Sequence, residues 1–213
     1  MKKAVLLFSV IILLTNVYGQ NQAYYENMGK NLQKFGTAQT IADWQTLANQ
    51  FDRIANVETT EWLPLYYAAQ STIFMSFQEQ DKSKVDAYLD QAQKFVDKSL
   101  LVKQDESEIY VLQGLLYQAR IGVDPMGRGQ KYSMMASESF EKAKELNAEN
   151  PRIYYLEGMS VMNTPEMFGG GKKNALPLLQ LANEKFEKFA PASQLSPNWG
   201  KEHNLEQLSI CSK

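Results

Sequence analysis

Few side chains in this sequence are arranged to do chemistry. His203 is the one histidine and Cys211 the one cysteine. A serine triad would need His203 beside a nucleophile and a carboxylate, and a zinc site would need further nitrogen or sulfur ligands; neither spacing occurs. Six of the nine methionines fall between Met126 and Met167: Met126, Met134, Met135, Met159, Met162 and Met167. Thioethers can hold Cu(I), but no histidine or cysteine accompanies these, and methionine is also the flexible filler of irregular apolar surface. The run Met167-Phe168-Gly169-Gly170-Gly171-Lys172-Lys173-Asn174 invites a phosphate reading. It lacks the preceding strand, the GxxxxGK[ST] spacing and the Ser/Thr after the lysine that a phosphate loop needs. It reads instead as a tight turn with glycines at positive φ, Phe168 plugging a gap and Asn174 capping the next helix, where an anion could also sit near the two lysines. Glu141 and Glu145 lie on a helix face studded with lysines, which is ordinary solvated surface. No catalytic residue, cofactor or metal ligand is predicted, and hydrolysis has no nucleophile–base pair to run on.

What remains is binding, and the elements available to position a partner are helices. Residues 1–19 form a separate unit: Met1-Lys2-Lys3 is basic, Ala4 to Leu14 is almost wholly apolar, and Val17-Tyr18-Gly19 supplies small residues for cleavage. That is a secretory signal peptide, too short for a spanning helix, with no cysteine near the cleavage point for lipid attachment. The mature chain, 20–213, is expected to be a single periplasmic or secreted domain with no transmembrane segment. Without Lys2 and Lys3 it carries 20 basic residues against 24 acidic, a net of −4, so nucleic acid is a poor partner. One thiol cannot staple an exported chain internally, so packing must hold it together.

Apolar residues recur at helical spacing throughout, and no window alternates like a strand. Gly36 stops a first helix over Asn21 to Phe35. Thr40 starts a second with Trp44, Leu47, Ala48, Phe51, Ile54 and Ala55 on one stripe. A third begins near Trp62-Leu63-Pro64 and carries Tyr66, Tyr67, Ile73, Phe74 and Phe77. Asp81 opens a fourth, with Val85, Leu89, Ala92, Phe95 and Val96 inward. Asp105 with Glu108 makes a capping-box-like start for a fifth. The turn residues Asp124-Pro125-Met126-Gly127-Arg128-Gly129 predict a loop over Val123–Gly129, with Arg128 and Lys131 at its edge. A sixth helix follows to Leu146. Asn150-Pro151 starts a seventh, Thr164–Lys173 is a second loop, an eighth helix runs from Asn174 to about Phe189, and a short amphipathic helix from Trp199 to Ile210 closes the chain.

Within this series a pattern repeats. Tyr66, Tyr110 and Tyr154 are 44 residues apart, with a fainter copy at Tyr25. Tyr110-x-x-Gln113-Gly114-x-x-Tyr117 faces Ala136-x-x-x-Phe140-x-x-Ala143, and Gly158 with Ala175, Leu179 and Ala182 continues the scheme. A small residue four positions after an aromatic lets two helices touch, and a large side chain from the partner helix fills the gap. On these residues the chain resembles the tetratricopeptide-repeat family over roughly Tyr24 to Phe189, in about four repeats. It departs from that pattern where Gln113, Glu157 and Ala69 replace leucine, where Gln70 replaces the glycine, and in a period about ten residues longer than the usual 34.

The resemblance implies an all-α, short right-handed solenoid of helix–turn–helix repeats with a C-terminal capping helix, and a concave groove lined by the first helix of each repeat. Carried onto this sequence, the groove would hold Tyr67, Ser71 and Phe74, then Val111, Leu115 and Gln118, then Arg152, Tyr155, Met159 and Met162. That surface is apolar and aromatic with a single cation. It reads as a slot for a protein or peptide partner, or alternatively for an apolar, lipid-like small molecule; equally, the final helix could bury it as core. The expected role is a non-enzymatic scaffold.

Overall fold

The computed structural model describes residues 22–212, so the proposed signal peptide lies outside the described residues. Nine α-helices follow one another with no strand among the described residues: α1 over 22–35, α2 Ile41–Val57, α3 Leu63–Gln78, α4 Lys82–Val102, α5 Ser107–Val123, α6 Pro125–Leu146, α7 Pro151–Asn163, α8 Lys172–Lys188 and α9 Lys201–Cys211. A short 3₁₀ turn, Glu166–Phe168, separates α7 from α8. No helix among them is long and apolar enough to cross a membrane.

Helices pack as antiparallel neighbours in chain order, α3 on α4, α5 on α6 and α7 on α8, while α5 also touches α3 on one side and α7 on the other. The result is a helical-repeat solenoid whose odd-numbered helices share one face. Local chemistry sets the starts. Thr40 and Asp43 form a reciprocal capping box, and Asp81, Asp124 and Asn150 each accept a backbone N–H of the following first turn.

Two sequence expectations about boundaries change. The predicted 123–129 loop does not exist: Asp124 caps α6, Pro125 sits at its first position, and Gly127 and Gly129 are helical. The cap itself demands glycine, since a Cβ on Gly127 would lie 2.4 Å from the Asp124 carboxylate. The cap of α5 is Glu106, accepting from Glu108 N–H, rather than Asp105.

The close approaches are visible at the glycines. A Cβ on Gly114 would fall 2.2 Å from the Phe140 ring, and one on Gly158 would fall 2.6 Å from Leu179. Around these contacts Ala136, Ala143, Ala175 and Ala182 are buried. Burying Phe140 contributes about 1.5–3 kcal/mol, and that gain requires hydrogen at the Gly114 α-carbon. The repeat tyrosines Tyr110 and Tyr154 play one role: each hydroxyl donates to the carbonyl six residues earlier, Gln104 and Ala148, pinning the preceding loop. Tyr117 stacks on Tyr132 of α6 instead.

The polar departures from the repeat pattern divide. Gln113 accepts from Ser139 and Glu157 pairs with Lys144, both partners coming from α6. Gln70 is wholly buried, and neither its amide N nor O finds a partner.

Two outcomes test this packing. Gly114→Leu should cost about 3 kcal/mol or more in chemical denaturation, and Phe140→Ala in the same chain should restore part of it; a midpoint equal to wild type would contradict the contact. Gln70→Met keeps volume while removing an unpaired amide, so it should stabilise by about 1 kcal/mol; destabilisation would show that Gln70 is hydrogen-bonded after all.

Candidate functional site

The shared face of α3, α5 and α7 is not an open groove along its whole length. After α8 the chain turns back, and residues 189–200 cross the N-terminal halves of these helices as a strap. Tyr67 donates its hydroxyl to Leu195 O at 2.8 Å, and the Trp199 indole N–H donates to the Tyr66 hydroxyl at 2.8 Å. Tyr66 thus anchors the strap rather than a loop, unlike its counterparts Tyr110 and Tyr154. Gly200, at φ +100°, turns the strap into α9, and a Cβ there would press on Phe186 and Tyr155.

Arg152 sits at the centre and is fully buried. One guanidinium nitrogen donates to Glu108 Oε1 at 2.8 Å and another to Pro197 O at 2.7 Å. The same guanidinium lies 4.6 Å from the centre of the Phe189 ring and 5.5 Å from that of Trp199. Asn150 adds a hydrogen bond to Glu108. Burial dominates the Glu108 carboxyl and pushes it up to about 7, with the Arg152 charge pulling the other way. Burial likewise pushes the Tyr67 phenol well up and that of Tyr155 to about 12.

The predicted groove residues therefore separate into two groups. Tyr67, Ser71, Val111, Leu115, Arg152 and Tyr155 are buried, several of them directly under the strap, so these side chains are core rather than the wall of an open slot. The apolar side chains of a half-solenoid have found their cover within the chain. Phe74, Gln118, Met159 and Met162, one or two turns further along the same helices, stay half-buried, with Phe74 packed on the rings of Phe35 and Trp44 and so apart from the two methionines. Gln118 donates to Leu156 O and so bridges α5 to α7. Leu208 and Cys211 of α9 are also half-buried, and Cys211 Sγ approaches Met162 Sδ at 3.9 Å. This lower strip is the candidate site.

Other candidates fall elsewhere. Met126, Met134 and Met167 are exposed, so the methionines close in sequence do not form one cluster. Phe168, expected to plug a gap, is 73% exposed. Asn174 does not cap α8; Gly171 does, and Asn174 donates to the carbonyls of Gly169 and Gly170. Gly169 and Gly171 do take positive φ. Arg128 forms a two-pronged ion pair with Asp86 of α4, which ties α6 to α4. His203, placed on the terminal helix with no partner in view, meets the Tyr155 hydroxyl at 2.6 Å through Nδ1. That pairing spans 48 residues and leaves no local sequence signal.

The HusA haemophore from Porphyromonas gingivalis is 31% identical to this chain, with a TM-score of 0.79 over 88% of this chain and 92% of that one. The chain belongs to that protein's family. A thermophilic TPR protein from Thermus thermophilus is more distantly similar, at 15% identity and a TM-score of 0.44 over 87% of this chain and 99% of that one. No protein-family model and no curated protein matches the chain.

The buried pair at the centre makes a pH-dependent prediction. Because Glu108 titrates above its ordinary 4.5 when folded, its contribution favours the folded chain at acid pH and is lost as the pH rises toward about 7. Arg152→Leu strands that carboxylate, so it should cost about 3–5 kcal/mol at pH 8 and markedly less at pH 5, with Glu108→Leu relieving the loss. Denaturation curves showing equal loss at both pH values would contradict the pairing.

Proposed function

We propose that this chain is an exported, non-enzymatic carrier of haem or a similar flat tetrapyrrole, held against the lower strip of the odd-helix face. The observation that carries the reading is the likeness to the HusA haemophore over nearly the full length of both chains. The strip supports it physically: Met159, Met162 and Leu208 are half-buried, so apolar side chains there still have surface to cover. Thioethers adapt their shape to a large planar ligand more readily than branched side chains do.

The alternative of a protein or peptide partner lying along the concave face is less well supported. A peptide would need the track that Leu195, Pro197 and Trp199 already occupy. The tetratricopeptide type of the repeats belongs to the proposal too, resting on the tyrosine–glycine pattern. So does the layout of a signal peptide over 1–19 followed by one mature domain over 20–213, which supports delivery to the periplasm or the exterior. No reaction is assigned, since the carrier role needs none.

Titration of the purified mature chain with ferric haem, followed by its visible absorption, should give saturable binding at one equivalent. Met159→Asp with Met162→Asp should weaken it by about tenfold or more, because a charge would have to be desolvated under the ring. Absence of binding, or equal affinity in the double variant, would overturn the reading.

A further inference from the structure

Three loops join an odd helix to the even helix after it, and each holds large apolar side chains out in solvent. Phe77 lies in the last turn of α3, Met126 in the first turn of α6, and Met167 with Phe168 in the 3₁₀ turn after α7. Phe77 is 54% exposed, Met126 97% and Met167 83%. A lysine stands five residues after each of them, at Lys82, Lys131 and Lys172, the last followed by Lys173. All four lysines are exposed, and among the described residues none makes a salt bridge.

These loops share one edge of the solenoid. Glu108 at the start of α5 holds Arg152 at the start of α7, and Gln118 further along α5 reaches Leu156 further along α7, so the two helices run the same way. Tyr67, near the start of α3, meets the same strap as Arg152 does. The far ends of all three helices therefore lie together, and the Arg128–Asp86 pair ties the start of α6 to that of α4. The exposure is built into the backbone. Gly170 N–H donates to Pro165 O and Gly171 N–H to Val161 O, while a Cβ on Gly170 would collide with the Thr164 backbone. That tight turn leaves Met167 and Phe168 outside it.

Charge separates this edge from the opposite one. Here Glu79, Asp81 and Asp124 are engaged by backbone N–H groups, which leaves Glu166 as the acid beside the lysines. The loops at the other edge carry Glu58, Glu61, Asp105, Glu106 and Glu149 against Lys103 alone. A protein partner of ordinary affinity needs a continuous patch of about 800 Å². The apolar contact on this edge is divided among three loops with charged residues between them. An anionic bilayer accepts separate tips, which enter among the acyl chains while lysines stay at the headgroups.

We infer that the edge formed by Phe77, Met126, Met167 and Phe168 docks this chain on an anionic phospholipid surface, with Lys82, Lys131, Lys172 and Lys173 at the headgroups. Met162, at the end of the candidate strip, lies just before the third loop, so the docked chain turns that end toward the bilayer. Docking itself needs no ligand in the strip.

The test is co-sedimentation of the mature chain with vesicles of phosphatidylcholine alone or of equal parts phosphatidylcholine and phosphatidylglycerol. Wild type should bind the mixed vesicles at least about tenfold more tightly than the neutral ones, and lose that preference when salt is raised to about 0.5 M. Met167→Ser with Phe168→Ser should weaken binding to the mixed vesicles by about tenfold, and Lys172→Gln with Lys173→Gln by a similar factor. Val57→Ser with Leu101→Ser, exposed apolar residues at the opposite edge, should bind as wild type does. All these side chains are exposed, so each variant should keep the wild-type circular dichroism. Equal binding to both kinds of vesicle, or a loss confined to the Val57–Leu101 variant, overturns the proposal. So does a wild type that ignores vesicles but sediments as a dimer that Met167→Ser with Phe168→Ser abolishes, which would assign the edge to a second copy of the chain.

Discussion

A guanidinium cannot shed its charge, so burying one obliges the surrounding chain to supply partners. Arg152 meets most of that obligation from two places, a carboxylate on α5 and, in the strap, a carbonyl with two aromatic faces, while its Nε–H is buried without a partner. The arrangement fixes the strap's height above the helices. It also brings Trp199 within reach of Tyr66 and sets the Gly200 turn that aims α9 along α7. The strap thus covers the N-terminal halves of the odd helices, while Met159 and Met162 further along α7 stay half-buried.

That division gives the fold its functional sense. A short solenoid exposes more apolar surface on its inner face than water tolerates, and longer arrays leave such surface for extended partners. Here the chain's own tail takes the peptide track. On the proposed carrier reading, the strip of thioethers that remains is where a flat molecule would lie. The close packing behind it, Phe140 against Gly114 and Leu179 against Gly158, keeps the platform rigid.

Much of this was legible from local patterns. Helical periodicity, the Thr40, Asp81 and Asn150 caps and the spacing of small and aromatic residues all act over four residues or fewer, the range at which side chains on one helix meet. The absent 123–129 loop shows where that reading slips. Asp124-Pro125 carries the same start signal as Asn150-Pro151, but two following glycines resemble a turn, and only the Asp124–Gly127 contact reveals that one of them serves the cap. Phe168 and Asn174 slipped for the same reason, because glycine-rich turns do not announce which way their neighbours point. The strap's contacts lay beyond local patterns: they join Tyr67 to Leu195 and Tyr66 to Trp199 across 128 and 133 residues. The His203–Tyr155 pair is hidden in the same way.

The methionines offer a direct probe of the central claim, that a planar ligand lies on the lower strip of the odd-helix face. Their methyl resonances, followed by NMR as protoporphyrin IX is added, report ring-current shifts only where the macrocycle lies close. Met159 and Met162 should move strongly, while Met134 and Met167, which point to solvent elsewhere, should hold still. Large shifts at Met134 or Met167 with Met159 and Met162 unmoved would place the ligand on another surface and contradict the account.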